Sequence, residues 1–270
     1  MRARIRGSTA APAPPPTGQN DRGLRSLQPL HLDEERIHVD MSDALAEGLR
    51  QRYLHSPAVL ERLYLVRHGE VENPGGIVYA DLGGFRLSPA GRAQAAVAGE
   101  HLAGDPPQIL VSSPLERAVE TAEAIAGRIG VEMETDVRLI EWRLSRRWAG
   151  VPWVDLDEHF PGELEAYLLT PHELTFSPES LDEVAERMIG LVDDLDRRRA
   201  TAAVLVSHQD PVQALRVALT RAGREAFITS KPGHASVTTL GRRNGEWVET
   251  SYWQPEIESS AFPPTPESRS

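Results

Sequence analysis

Residues 62–70 read Arg-Leu-Tyr-Leu-Val-Arg-His-Gly-Glu, and the rest of the chain is organised around this stretch. Its apolar run predicts a strand at 62–67, and Gly69 lets the backbone turn sharply after it. The strand brings a cation, Arg67, and an imidazole, His68, to its C-terminal end. Because open parallel sheets bind ligands at the carboxyl ends of their strands, we expect a binding site there.

Strand and helix patterns alternate along the chain after this stretch. Further strands are predicted at 108–112, 131–135, 202–208 and 236–240, with a hairpin turn at Asn244-Gly245 leading into 247–250. Helices are predicted at 89–102, from 113 to about 127, from 180 onward and at 211–220. The alternation favours an α/β fold, which we expect to be a three-layer α/β/α sandwich around a mostly parallel sheet.

Three of these helices carry start signals. Ser88-Pro89 combines an N-cap serine with a proline at the first helical position, where a missing N–H costs nothing, and Ser113-Pro114 repeats the device. Ser180 with Glu183 forms a capping-box pattern.

The folded domain is expected to span residues 59–254. Within it, residues 142–180 combine aromatic residues and prolines without a clean period, which is typical of a lid or specificity insertion. Residues 1–58 are expected to be a disordered tail with a short helix at 42–54, capped by Ser42, and residues 255–270 a second disordered tail. Met41, just before that helix, is a hypothesis for the true start.

Composition limits the class of protein. The chain has 270 residues, no cysteine and a formal net charge of -11. No apolar run approaches the roughly 20 residues that span a bilayer, and no apolar core follows the basic N-terminus, so we expect neither membrane association nor a signal peptide. The absence of cysteine fits a cytoplasmic location, and the negative charge argues against nucleic-acid binding. An anionic substrate would need a pocket made positive by arginines. The sequence does not determine the oligomeric state, and a homodimer is compatible with it.

Several strand ends supply residues that suit phosphoryl transfer. Arg67 and His68 follow the first strand, Arg117 lies just beyond the second, and His208 ends a third. Glu141 follows another apolar segment. A guanidinium group can bind two phosphate oxygens at once through parallel hydrogen bonds. An imidazole can attack phosphorus, and a carboxylic acid can protonate the departing oxygen. Such a set needs no metal and no cofactor, because the arginines supply the electrostatic stabilisation.

Taken singly, these residues also have ordinary structural interpretations. Arg117 could form an intrahelical pair with Glu120. His208 and Asp210 could form a helix cap, and Glu141 could simply be exposed. A metal site built from His68, Glu70, His208 and Asp210 is disfavoured, because Arg67 would repel a dication. Only the joint order of these residues favours a catalytic interpretation.

The residues fall into five ordered motifs. Arg-His-Gly-Glu stands at 67–70 with Asn73 shortly after, and Leu-Ser-x-x-Gly-x-x-Gln-Ala at 87–95. Ser-Ser-Pro-Leu-x-Arg-Ala-x-x-Thr-Ala occupies 112–122, Leu-x-Glu 139–141, and Ser-His 207–208. This order resembles the histidine phosphatase superfamily, in the branch that includes cofactor-dependent phosphoglycerate mutases and broad-specificity phosphatases.

The resemblance implies a role for each matched residue. His68 would be the nucleophile that takes the phosphoryl group. Arg67, Arg117 and His208 would bind its oxygens, and Glu141 would protonate the leaving group and then activate water. Asn73 would line the phosphate pocket, with its side chain as a hydrogen-bond donor. The implied substrate is a small phosphorylated metabolite.

Two departures from the family pattern leave the substrate open. Ala149 stands where family members often carry a glutamate, and Gln209 replaces the glycine usual after the second histidine. Gln209 would add bulk near the phosphate or a donor to the substrate. Glu72 and His234 are further polar candidates for the pocket. A mutase that returns the phosphoryl group to a second hydroxyl, and a non-catalytic phospholigand-binding protein, remain alternatives to a phosphatase.

Overall fold

The structure is a computed structural model that describes residues 60–257. The expected tail at 1–58, with its helix at 42–54 and the Met41 start, lies outside these residues, as does most of the expected tail at 255–270.

Six strands form one sheet. They are β1 (Arg62–Arg67), β2 (Ile109–Ser112), β3 (Met133–Thr135), β4 (Ala202–Ser207), β5 (Val237–Arg243) and β6 (Glu246–Trp253). Their order is β3-β2-β4-β1-β5-β6. The strand pairs β3–β2, β2–β4 and β4–β1 are parallel, and β5 runs antiparallel to both β1 and β6. The expected mostly parallel α/β sheet is therefore confirmed.

Helices alternate with these strands. They are α1 (Pro89–Ala103), α2 (Glu116–Ile129), α3 (Leu144–Arg147), α4 (Leu156–His159), α5 (Glu163–Leu169), α6 (Leu181–Arg197), α7 (Gln209–Thr220) and α8 (Glu225–Thr229). Short 3-10 turns lie at Val137–Leu139, Trp153–Asp155 and Pro171–Glu173. Within the described range, no helix has the length and apolar character needed to cross a membrane.

The sheet separates two apolar cores. Alternate residues of β1 enter opposite cores, because successive side chains of a strand point to opposite faces. Leu63 and Leu65 pack on the side of α6 and α7, whereas Tyr64 and Val66 pack on the side of α1 and α2. This division confirms the three layers.

Two of the three predicted helix starts are confirmed. Ser88 Oγ accepts a hydrogen bond from Gly91 N at 3.0 Å, and Ser180 and Glu183 make both bonds of a capping box. The start at Ser113 is wrong. The helix α2 begins at Glu116, with Leu115 as its N-cap and no side-chain capping bond. Ser113 Oγ instead accepts from Leu115 N at 3.3 Å and lies 2.8 Å from His208 Nε2 on the neighbouring strand end.

The segment 142–180 folds as α3, α4 and α5 with two 3-10 turns. Its role as a lid stays a prediction. The hairpin at Asn244-Gly245 is confirmed, with φ of 53° and 85° at its two residues. Positive φ at both central residues is what a type I′ turn requires.

The start of α1 crosses the turn after β1 at very close range. A Cβ added at Gly91 would lie 2.0 Å from Glu70 O, and one at Gly69 would lie 2.5 Å from Gly91 O. Ser88 closes the crossing, because its N–H donates to Glu70 O at 2.9 Å and its hydroxyl to Glu70 Oε1 at 2.7 Å. Two glycines are therefore needed where this helix holds the turn that carries His68.

Gly91→Ala is expected to destabilise the protein by about 3 kcal/mol or more, because the added methyl group meets backbone that cannot move aside. Gly127→Ala is the matched control, since Gly127 is exposed on α2 and a Cβ there meets nothing within 4 Å. The control should gain roughly 0.5–1 kcal/mol from higher helix propensity. Urea unfolding measures the stability of both variants. An unchanged unfolding midpoint for Gly91→Ala would refute the close approach between the start of α1 and the turn after β1.

Candidate active site

Two histidines meet at the carboxyl ends of β1 and β4. These strands are parallel neighbours with Arg67 opposite Ser207, so His68 and His208 leave the sheet side by side. Their ring centroids are 5.2 Å apart, and both side chains are buried. The site is therefore assembled from residues 140 positions apart in the chain.

His68 is held in one tautomer. Its Nδ1 lies 2.8 Å from Gly69 O. A carbonyl oxygen only accepts hydrogen bonds, so Nδ1 carries the proton and Nε2 keeps its lone pair. Burial, with Arg117 and His208 nearby, lowers the pKa of His68 well below the usual value of 6.5. The imidazole is therefore neutral at pH 7 and has a free electron pair on Nε2.

Arg67 is fixed along one edge of its guanidinium. Its Nη1 donates to Gln209 Oε1 at 2.8 Å and to Pro232 O at 2.9 Å, and its Nη2 lies 2.9 Å from His234 Nε2. Burial and Arg67 lower the pKa of His234 to about 3, so this imidazole is neutral and accepts the bond. These contacts leave the Nε side of Arg67 available.

Arg117 does not pair with Glu120, so that structural interpretation is wrong. Its Nη2 donates to Ala80 O at 2.8 Å, and its guanidinium carbon lies 4.7 Å from the centre of the Tyr79 ring. Glu120 instead bonds Arg86 and Leu87 N. The buried guanidinium is therefore left without a carboxylate at hydrogen-bond distance among residues 60–257.

Three buried nitrogens at this site lack hydrogen-bond partners among the described residues: Arg67 Nε, Arg117 Nε and His208 Nδ1. Ser113 Oγ accepts from Leu115 N at 3.3 Å, so its hydroxyl can donate to His208 Nε2 and leave the proton of His208 on Nδ1. A buried unpaired donor costs about 1–3 kcal/mol. Three such donors beside a neutral imidazole form a site suited to an anion.

Glu141 is carried to the site by the segment after the 137–139 turn. Ser207 Oγ donates to Leu139 O at 2.8 Å, which fixes this segment to the end of β4. Glu141 Oε1 accepts from Trp142 N at 2.8 Å. Removal from water and the charge of Asp210 raise the pKa of Glu141 to about 7, although Arg117 and Arg67 oppose the change. The carboxyl group is thus partly protonated at neutral pH.

Asp210 belongs to a group of residues that sequence reasoning did not assign to the site. His208 is the N-cap of α7 without a side-chain capping bond, so the proposed His208–Asp210 cap is not formed. The Asp210 oxygens lie 3.1 and 3.2 Å from the Tyr167 hydroxyl, and that hydroxyl accepts from Lys231 Nζ at 2.8 Å. Sequence had no signal for this group, because its members come from three separate segments.

Among residues 60–257, no group of three or more His, Cys, Asp or Glu side chains is arranged to hold a metal ion. His68, Glu70, His208 and Asp210 do not gather as one set. Glu70 is buried and accepts from the Ser88 hydroxyl, in agreement with a packing role near the turn.

The sequence pattern of the histidine phosphatase superfamily (branch 1) matches residues 63–254. The chain belongs to this superfamily. It is 36% identical over 214 residues to an uncharacterised protein of Mycobacterium tuberculosis, covering 72% of this chain and 96% of the relative. It is 33% identical to phosphoserine phosphatase 1 of Hydrogenobacter thermophilus, over 66% of this chain and 85% of the relative.

Solved structures agree with this membership. The mycobacterial glucosyl-3-phosphoglycerate phosphatase in complex with VO3 superposes with a TM-score of 0.62 and 31% identity, over 72% of this chain and 98% of that protein. The family match and the phosphatase names of these relatives support a function of the phosphatase or mutase type.

Two expected phosphate-site residues of this histidine phosphatase superfamily member make contacts that bear on their roles. The Asn73 amide closes its own loop, with Nδ2 donating to Ile77 O at 2.9 Å and Oδ1 accepting from Ile77 N at 3.2 Å. Gln209 uses its Oε1 to hold Arg67. Contact of either side chain with substrate stays a prediction.

The two further polar candidates differ in position. His234 lies at the site, with its ring centroid 5.9 Å from that of His68, whereas Glu72 is exposed.

Proposed function

We propose that this protein is a metal-independent phosphatase that hydrolyses a small phosphorylated metabolite through a phosphohistidine intermediate on His68. One observation carries the proposal: Arg67, Arg117 and His208 each keep a buried nitrogen without a hydrogen-bond partner among the described residues, and all three act electrostatically on His68, whose Nε2 keeps its lone pair. Phosphate oxygens satisfy such donors, and a neutral imidazole with a free lone pair can attack phosphorus.

The first half-reaction moves the phosphoryl group to the protein. His68 Nε2 forms a bond to phosphorus while the bond from phosphorus to the ester oxygen breaks. Arg67, Arg117 and His208 bind the equatorial oxygens and stabilise the charge as it spreads over them. Glu141 in its protonated form donates a proton to the departing oxygen, and the alcohol leaves.

The second half-reaction restores the protein. Glu141, now a carboxylate, accepts a proton from water, and the resulting nucleophile attacks phosphorus. The bond between phosphorus and Nε2 breaks, inorganic phosphate leaves, and His68 is again neutral. A carboxyl group whose pKa is about 7 can act in both steps at neutral pH.

The test is hydrolysis of an aryl phosphate in EDTA, with the fate of the phosphoryl group followed. We expect activity to survive EDTA and inorganic phosphate to appear in step with the phenol. Loss of activity in EDTA, restored by a divalent cation, would refute a metal-independent reaction. A mutase would instead transfer the phosphoryl group to added glycerate in preference to water, and a binding protein would turn over nothing.

The search for natural substrates can begin with the compounds in the relatives' names. Phosphoserine and glucosyl-3-phosphoglycerate both present a phosphate monoester on a three-carbon acid. Sugar phosphates and nucleotides complete the panel.

A further inference from the structure

Three hydrogen-bond acceptors surround one end of the Arg67 guanidinium. Its Nη1 donates to Gln209 Oε1 at 2.8 Å and to Pro232 O at 2.9 Å, and its Nη2 lies 2.9 Å from His234 Nε2. Gln209 is the first residue of α7, whereas Pro232 and His234 belong to the loop between α8 and β5. We call these three residues the Arg67 clamp. The clamp ties the end of β1 to a helix start and to a loop.

The clamp decides which donors of Arg67 stay free. A guanidinium carries five N–H donors, two on each Nη and one on Nε. Gln209 and Pro232 take both donors of Nη1, and His234 takes one of the two on Nη2. The Nε donor has no partner among the described residues. The free donors are therefore those of Nε and Nη2, the two nitrogens that together form one side of the guanidinium fork.

His234 can accept its bond from Arg67 only as a neutral imidazole. Burial is the first cause that lowers the pKa of His234 to about 3, and the charge of Arg67 is the second, although Glu70 opposes them. At neutral pH the His234 Nε2 therefore keeps its lone pair, and the proton lies on Nδ1.

All three acceptors of the clamp are uncharged at neutral pH, because they are an amide oxygen, a backbone carbonyl and a neutral imidazole. Arg147, by contrast, is held by the carboxylate of Glu163, and such a partner offsets the charge of the arginine. Uncharged acceptors fix the orientation of Arg67 and leave its positive charge for an anion.

The loop that provides two of the acceptors is itself fixed to the site. Ala235 N donates to His68 O at 3.2 Å, and Gly233 N donates to the Tyr252 hydroxyl at 3.0 Å. Ala235 is buried with φ of 52°, a left-handed conformation that is uncommon for a residue with a side chain. Because one loop contacts both Arg67 and His68, it sets the position of the guanidinium relative to the imidazole.

We propose that the Arg67 clamp holds the guanidinium so that its Nε and Nη2 donors bind two phosphate oxygens together. Gln209 and His234 are then positioning residues that act through Arg67. The inference rests on the proposed function, which identifies the anion as phosphate. An arginine that can rotate presents its fork for only part of the time, and the apparent dissociation constant rises as the competent fraction falls. The clamp therefore strengthens binding of every phosphate compound alike.

Calorimetric titration with inorganic phosphate in EDTA measures the clamp without turnover. Gln209→Met keeps the approximate size of the side chain and removes the acceptor. We expect it to raise the dissociation constant for phosphate by about tenfold, the lower end of the range for a hydrogen bond to a charged group. His234→Leu should act in the same direction. His234→Gln, whose amide oxygen can replace the Nε2 acceptor, should restore the dissociation constant to within about threefold of the wild type.

Gln108→Met is the matched control for the loss of a hydrogen-bonded glutamine. Gln108 lies just before β2, at the opposite end of the sheet, where its side chain bonds the Thr201 hydroxyl and Ala202 N. A site this distant should not couple to phosphate binding, so the dissociation constant should stay within about twofold of the wild type. Thermal unfolding of each variant checks that the folded state survives.

Steady-state rates separate the clamp from direct contact with the leaving group. Because Glu141 is unaltered, Gln209→Met should raise KM for alkyl and aryl phosphates by the same factor. A changed preference among esters, with phosphate bound as in the wild type, would show that Gln209 contacts the leaving group and would overturn the clamp. Unchanged phosphate affinity in both Gln209→Met and His234→Leu would overturn it as well.

The clamp and the proposed function fail in different ways. Phosphate binding that weakens in Gln209→Met and His234→Leu, in a protein that hydrolyses no ester, would leave the clamp standing and refute only the phosphatase. Hydrolysis by a protein in which neither variant changes KM or phosphate affinity would refute only the clamp.

Discussion

Replacing His68 with alanine is expected to lower kcat/KM for phosphate monoesters by a factor of about 10⁴ or more. Under the proposed mechanism, loss of the nucleophile removes the covalent route as a whole. The neutral neighbours His208 and His234 do not substitute. His208 Nε2 is engaged by Ser113, and His234 Nε2 is engaged by Arg67. Initial rates with aryl and alkyl phosphates in EDTA measure the effect.

A second histidine provides the control for this variant. His101 is exposed on α1, where its ring stacks on Trp253 with centroids 4.3 Å apart. His101→Ala should retain nearly full activity. Thermal unfolding of both variants checks that the folded state survives. Residual turnover by His68→Ala within about tenfold of the wild type would show that another group attacks phosphorus.

Glu141→Gln is expected to slow alkyl phosphates by about 10²- to 10⁴-fold and aryl phosphates far less. The amide keeps the size of the side chain and its acceptor for Trp142 N, but it cannot deliver a proton to the leaving oxygen. An alkoxide leaves poorly without that proton, whereas a phenolate leaves readily. Single-turnover rates on both substrate types isolate the first step, and equal slowing of the two would remove Glu141 from the acid role.

The pH profile follows from the same carboxyl group. Its pKa is raised to about 7, so the proton needed by the leaving group is present below that pH and is lost above it. We expect kcat/KM for alkyl phosphates to fall tenfold per pH unit above about 7, while aryl phosphates stay nearly level. Because burial lowers the pKa of His68 and His208, the nucleophile stays neutral below 6.5.

Asp210→Asn should shift this descending limb. Asp210 is the second cause of the raised pKa of Glu141, after removal from water, and Arg117 and Arg67 act in the opposite direction. Without the aspartate charge, the pKa of Glu141 falls and the limb moves to lower pH. Asp210 bonds Tyr167, so unfolding must be measured alongside.

Local sequence patterns were enough to predict elements whose signals lie within a few residues. The strand β1, the N-caps at Ser88 and Ser180 and the hairpin at Asn244 all depend on neighbours in the chain, and all are present. Motif order also singled out Arg67, His68, Arg117, Glu141 and His208 together. His68 and His208 lie side by side at the carboxyl ends of the central strands β1 and β4, and the charges of Arg67 and Arg117 act on both His68 and Glu141.

Long-range contacts explain what the sequence could not predict. The helix start expected at Ser113 is displaced to Glu116, and the Ser113 hydroxyl instead contacts His208, 95 residues away. His234 reaches Arg67 across 167 residues, and Asp210 meets Tyr167 across 43. The pKa of Glu141 depends on how these segments pack together, because burial and the Asp210 charge set it. No local pattern encodes such distances.

The central claim is that the phosphoryl group passes through His68, and trapping the intermediate tests it most directly. Glu141→Gln protein is mixed with a labelled aryl phosphate, quenched in base because phosphohistidine is acid-labile, and digested for mass spectrometry. The account predicts that labelling of His68 approaches one phosphoryl group per protein. When unlabelled substrate is then added, the label should disappear at the rate of turnover. Steady hydrolysis with no label on His68, or label that persists through the chase, would contradict it.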